Sequence, residues 1–124
     1  MEDAFTLELP GDATTPREAR RAVAARLGDH ARSGDLLLCV SEVVTNAVLH
    51  ARSATTLTVR RSADLITVEV RDDDPTPPVR RPHSTTATTG RGLRILDDLT
   101  VRWGTRLTGV GKVVWFDFDL AAAS

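Results

Sequence analysis

Cysteine is almost absent from this chain. Cys39 stands alone, so no internal disulfide can form and no cysteine-rich zinc site is possible. No apolar run approaches the ~20 residues that a membrane helix needs. The opening Met1-Glu2-Asp3 is acidic and lacks the layout of a signal peptide. Net charge is also nearly absent. Sixteen basic residues against seventeen acidic ones give −1, which argues against a strongly basic nucleic-acid binder. Among the basic residues Lys112 is the only lysine. Such arginine bias reads as the mark of a GC-rich genome and carries no mechanistic weight. These shortages point to the cytoplasm, with no membrane and no direct nucleic-acid partner.

What is present suits a folded domain. The chain has 124 residues, 41% apolar and 27% charged. A chain of this size buries about two-thirds of its unfolded surface, enough for a core without disulfides. One domain over residues 1–124 is expected.

Hydrophobic period outlines the elements. Phe5, Leu7 and Leu9 alternate with polar residues as a strand, ended by Pro10-Gly11. Thr15-Pro16-Arg17-Glu18 predicts a helix start with Thr15 as cap, an apolar face of Ala19, Ala22, Val23 and Leu27, and a stop at Gly28. A second helix is expected from Asp35 to Ala51. A hairpin follows, Thr56–Arg61 and Leu65–Asp72, turning at Ser62-Ala63-Asp64. Asp73 to Thr89 breaks every period and carries four prolines. So long a structureless loop in a small domain is usually functional. A short helix, Leu93–Leu99, follows Gly90-Arg91-Gly92, and Val101–Arg106 with Lys112–Leu120 forms a closing hairpin. This order predicts a two-layer α/β sandwich: a mixed, mostly antiparallel sheet with helices on one face.

Three places can carry chemistry. On the second helix Glu42, Asn46 and His50 fall within an ~80° stripe, opposite Leu36, Leu37, Val40, Val44, Ala47 and Val48. Such a stripe is either a solvated face or a carboxylate, an amide and an imidazole turned toward a ligand. Leu38 and Leu49 flank it, so that side is not simply wet. Asp72 ends a strand at the mouth of the long loop. It reads either as turn chemistry or as an acceptor for a ligand's exocyclic amine. Gly90-Arg91-Gly92-Leu93 opens a helix, which makes it either a hinge or a phosphate cradle of backbone N–H groups with an arginine beside it. It matches neither a P-loop nor a dinucleotide fingerprint.

The order of these pieces resembles the Bergerat-fold ATP-binding superfamily, which includes gyrase, histidine kinases and bacterial anti-sigma-factor kinases. Ser41 to Ala51 looks like that family's Glu-x-x-x-Asn-Ala helix, with His50 beyond it. Gly90-Arg91-Gly92-Leu93 is similar to its second glycine box, and Gly109-Val110-Gly111 with Val113-Val114-Trp115-Phe116 sits where its closing strands sit. The resemblance covers nearly the whole chain and is greatest to the stand-alone anti-sigma serine/threonine kinase branch. It implies that Asn46 coordinates Mg²⁺, Glu42 serves the attacking hydroxyl, Asp72 holds the adenine amine, Gly90, Arg91, Gly92 and Leu93 line the phosphates, and His50 lies at the pocket edge. The segment 73–89 would be a flexible ATP lid. The family's Asp-x-Gly-x-Gly is here Asp72-Asp73-Asp74-Pro75-Thr76, with neither glycine.

The resemblance therefore implies an ATP- and Mg²⁺-dependent protein kinase. It would bind a sigma factor, phosphorylate Ser or Thr of an antagonist protein, and form a homodimer. The alternatives are a non-catalytic nucleotide-binding or partner-docking module and, less in keeping with a chain that shows no phosphoacceptor helix pair, the catalytic fragment of a histidine kinase.

Overall fold

The structure, a computed structural model, describes residues 2–51, 54–73 and 94–121. The elements run β1 (Glu2–Leu9), α1 (Thr15–Leu27), α2 (Ser33–Ala51), β2 (Thr55–Ser62), β3 (Leu65–Asp72), β4 (Arg102–Leu107) and β5 (Lys112–Asp119). Residues 94–99 are also helical. The five strands form one sheet in the order β1-β2-β3-β5-β4. Every pairing is antiparallel, which makes the sheet more uniform than the mixed one expected.

Side-chain alternation sorts the sheet into two faces. Leu57 and Val59 of β2, Ile66, Val68 and Val70 of β3, and Val114, Phe116 and Phe118 of β5 share one face and are buried. They form one core with Ala19 and Val23 of α1, Leu36, Cys39, Val40, Val43, Val44 and Ala47 of α2, and Leu96. Both helices therefore lie on one face. Each such aliphatic side chain, fully buried, contributes about 1.5–3 kcal/mol. Burial pushes the Cys39 thiol up to about 12, with Asp35 adding to the shift, so it is a core residue and not a nucleophile.

The other face is polar. Arg60 and Arg106 both reach Glu69, Arg106 at 3.0 Å, and Arg102 contacts Asp117 at 2.6 Å. Partial burial alone would raise the Glu69 pKa. The hydrogen bonds from Arg106 and Arg60 outweigh it and hold the carboxyl below its usual range. A shallow cavity of about 270 Å³ opens there, lined by Thr6, Thr58, Arg60, Glu69, Arg71 and Arg106.

Local chemistry explains where element ends differ from expectation. The strand at the N-terminus reaches back to Glu2, because Glu2 and Asp3 find register partners in Ser62 and Arg61. The cap of α1 is Thr14, not Thr15. Asp12 accepts hydrogen bonds from the Thr14 N–H at 2.8 Å and the Thr14 hydroxyl at 2.6 Å, closing the turn one residue early. Thr15 lies inside the helix, fully buried, and its hydroxyl donates to the Pro10 carbonyl. Gly28 stops α1 as expected, at φ +76°, and its N–H bonds the Ala24 carbonyl.

Arg32 fixes the start of α2. Its guanidinium donates to the carbonyls of Asp119, at 2.6 Å, and Leu99, at 3.3 Å, and stacks 4.3 Å over the Phe118 ring. The N-terminus of α2 is thus held at the sheet end where β5 finishes. Its C-terminus runs to the opposite end, where only residues 52–54 separate it from β2.

Candidate functional site

That opposite end holds the C-terminus of β3 and the start of β5. Thr56 pairs with Arg71, and Asp72 with Lys112. The last turns of α2, which carry Asn46 and His50, arrive at the same end. The topology therefore brings the helix stripe and the strand-end aspartate to one edge of the sandwich.

Glu42 and Asn46 are half-buried. The Asn46 Oδ1 is buried and has no hydrogen-bond partner among the described residues. A stranded amide oxygen of this kind costs about 1–3 kcal/mol in an apolar setting. An incoming cation or donor would satisfy it. Beside Glu42, the Ser41 hydroxyl accepts a hydrogen bond of 2.8 Å from Arg20, which ties α1 to this helix.

Asp72 is buried, 3% exposed, although it ends a strand. It faces the helix side, in the same alternation as Ile66, Val68 and Val70. Lys112 lies opposite with 0% exposure, its Nζ 3.2 Å from Oδ1 and 3.1 Å from Oδ2 of Asp72. The chain's only lysine is thus the buried ion-pair partner of Asp72. Two further residues at this end are not singled out by the sequence pattern. Thr55 is fully buried with its hydroxyl unpartnered among the described residues, and it begins β2 beside Asp72. Gly111 presses its backbone against the Asp72-Asp73 turn. A Cβ there would sit 2.6 Å from the Asp73 Cα and 2.9 Å from the Asp72 carbonyl carbon.

The structure thus brings the last turns of α2, with Asn46, and the strand-end Asp72 to one end of the sandwich; Glu42 lies one turn before Asn46 at mid-helix, and Gly111 and Lys112 lie against Asp72. The His50 side chain, Gly90, Arg91, Gly92 and Leu93 lie outside the described residues, as does the loop beyond Asp73. Among the described residues, no three His, Cys, Asp or Glu side chains gather as a metal site, and no helix is long and apolar enough to cross a membrane.

This end of the sandwich combines a buried carboxylate paired with a lysine, an amide oxygen without a hydrogen-bond partner among the described residues, and a helix packed across an antiparallel sheet. The chain belongs to the histidine kinase-like ATPase domain family, whose model matches residues 9–118. No curated protein matches it. Among solved structures it is similar to the histidine kinase domain of the blue-light activated histidine kinase EL346 of Erythrobacter litoralis. The two are 22% identical with a TM-score of 0.56, over 90% of this chain and 62% of that one. Against a longer structure of the same kinase the identity is 24% and the TM-score 0.56, over 90% of this chain and 42% of that one. The histidine kinase AdeS of Acinetobacter baumannii shares 9% identity, with a TM-score of 0.55 over 95% of this chain and 68% of that one. The chain thus spans less than two-thirds of both blue-light kinase structures. These likenesses carry the fold.

Proposed function

We propose that this domain binds ATP with Mg²⁺ at the end of the sandwich that carries the last turns of α2 and Asp72, and transfers the γ-phosphate to Ser or Thr of an antagonist protein. The observation that carries this reading is the buried Asn46 oxygen without a partner, one helical turn from Glu42 and at the sheet end of Asp72. Asp72 would accept from the adenine amine. Asn46 would hold Mg²⁺ through its amide oxygen, with the other metal ligands supplied by phosphate and water. When bound, Mg²⁺ neutralises charge on the phosphates during transfer. Glu42 would orient the acceptor hydroxyl and take its proton. Gly90, Arg91, Gly92 and Leu93 would line the phosphates, with His50 at the edge of their pocket. The remainder of the reading is a sigma factor as docking partner and a second copy of this chain in a homodimer.

One observation favours a second reading, a nucleotide-binding docking module without transfer. Asp72 is followed by Asp73-Asp74-Pro75-Thr76, where the broad pattern of the resembled superfamily carries two glycines.

Glu42→Ala separates the two. Label transfer from γ-labelled ATP to a bound partner protein should fall by at least ~100-fold, while the ADP dissociation constant stays within about threefold. A Glu42→Ala protein that transfers label like wild type contradicts the kinase reading. A wild type that binds ADP but transfers nothing to any partner it binds establishes the second.

A further inference from the structure

Lys112 is buried more completely than any role in solubility allows. Its ammonium has no exposed surface and lies within 3.2 Å of both Asp72 oxygens. Lys is almost never fully buried unless paired, because desolvating an ammonium is costly. The pair closes the β3–β5 ladder at the ligand edge. Directly before Lys112, Gly111 clamps the backbone of the same aspartate.

We infer that Lys112 is a positioning residue that sets which nucleobase the site accepts. The inference rests on the nucleotide reading above and extends it. A carboxylate is an acceptor only. The Lys112 ammonium lies within 3.2 Å of both its oxygens, so Asp72 offers acceptors in a fixed direction and meets a base with an amine at this position. A base with a carbonyl there presents acceptor to acceptor and is rejected. Without Lys112 the carboxylate loses a contact that fixes its direction, and the discrimination between the two bases falls with it. The two oxygens are also held in one orientation by the single ammonium, which limits the aspartate to one rotamer.

ADP and IDP test this, because their bases differ at that amine and at the adjoining ring nitrogen, whose hydrogen-bonding sense reverses with it. Wild type should bind ADP more tightly than IDP by about 10- to 100-fold. In Lys112→Met the ratio should fall to within about threefold of one, with IDP binding improved relative to ADP. A purely structural lysine would weaken both nucleotides alike and leave the ratio standing, which overturns the inference. Lys112→Gln, with a shorter neutral donor, should give the same collapse if the methionine variant does not fold. A wild-type measurement stands apart from both variants. With ¹⁵N-lysine labelling, the chain's single lysine side chain gives one Nζ resonance. Saturating ADP should shift it, and saturating IDP should shift it less. An Nζ signal that saturating ADP leaves unmoved contradicts the inference. Wild type that binds neither nucleotide defeats the nucleotide reading itself, and the inference with it.

Discussion

Gly111→Ala is expected to unfold the ligand edge of this domain. The added Cβ would sit 2.6 Å from one backbone carbon and 2.9 Å from another. Both belong to main chain, so no side-chain rotation relieves the overlap. Gly111 is also fixed from its own side. Its N–H bonds the Thr108 hydroxyl at 2.9 Å, and its carbonyl accepts from the Thr108 N–H at 2.9 Å. Either the β4–β5 turn or the Asp72-Asp73 turn must move. The expected loss is about 3–5 kcal/mol, among the larger single-residue effects and a major share of a small domain's stability. It should appear as a melting temperature lower by roughly 10–20 °C. Gly109→Ala serves as control, since nothing lies within 4 Å of a Cβ there. Equal melting temperatures for the two variants would contradict the close approach.

The second large effect concerns the buried ion pair. Asp72→Asn leaves an ammonium with no exposed surface facing a neutral amide, and Lys112→Met takes the ammonium away from a buried carboxylate. Each single change should cost about 3–5 kcal/mol, because breaking a buried ion pair from one side is strongly destabilising. The double variant Asp72→Asn/Lys112→Met contains neither charge. It should be more stable than the sum of the single losses predicts, by at least ~2 kcal/mol. Urea denaturation of the four proteins measures this. Strict additivity would mean that the two side chains do not act as a unit.

Much of the fold was written in hydrophobic period. The α2 stripe is legible because Leu36, Val40, Val44 and Ala47 recur at helical spacing, and all four are core residues. The β2–β3 hairpin follows from Leu57 and Val59 alternating before Ile66, Val68 and Val70, with Ala63 taking the positive φ of 54° that the tight turn requires. Element ends were less legible. They depend on a partner strand, as at Glu2, or on which side chain reaches a free N–H first, as at Asp12.

The site divided along the same line. Glu42, Asn46 and Asp72 stand out because their residue types break an apolar pattern. Lys112 did not, because its meaning lies in a partner 40 residues away. Only the β3–β5 register sets the two opposite each other. Gly111 reads as one more turn glycine until the backbone it touches is known. Thr55 is polar at the start of a strand, where exposure is common, and only packing shows it buried.

On the proposed function, the sheet end bearing Asp72 and Asn46 holds an adenine nucleotide with its metal. Calorimetric titration of ADP and GDP, each with and without Mg²⁺, into wild type and Asn46→Ala tests it most directly. Wild type should bind ADP more tightly than GDP, since an unmatched buried acceptor costs about 1–3 kcal/mol. Mg²⁺ should strengthen ADP binding to wild type and do little for Asn46→Ala. Equal affinity for the two nucleotides, or a Mg²⁺ effect that Asn46→Ala retains in full, would contradict the claim.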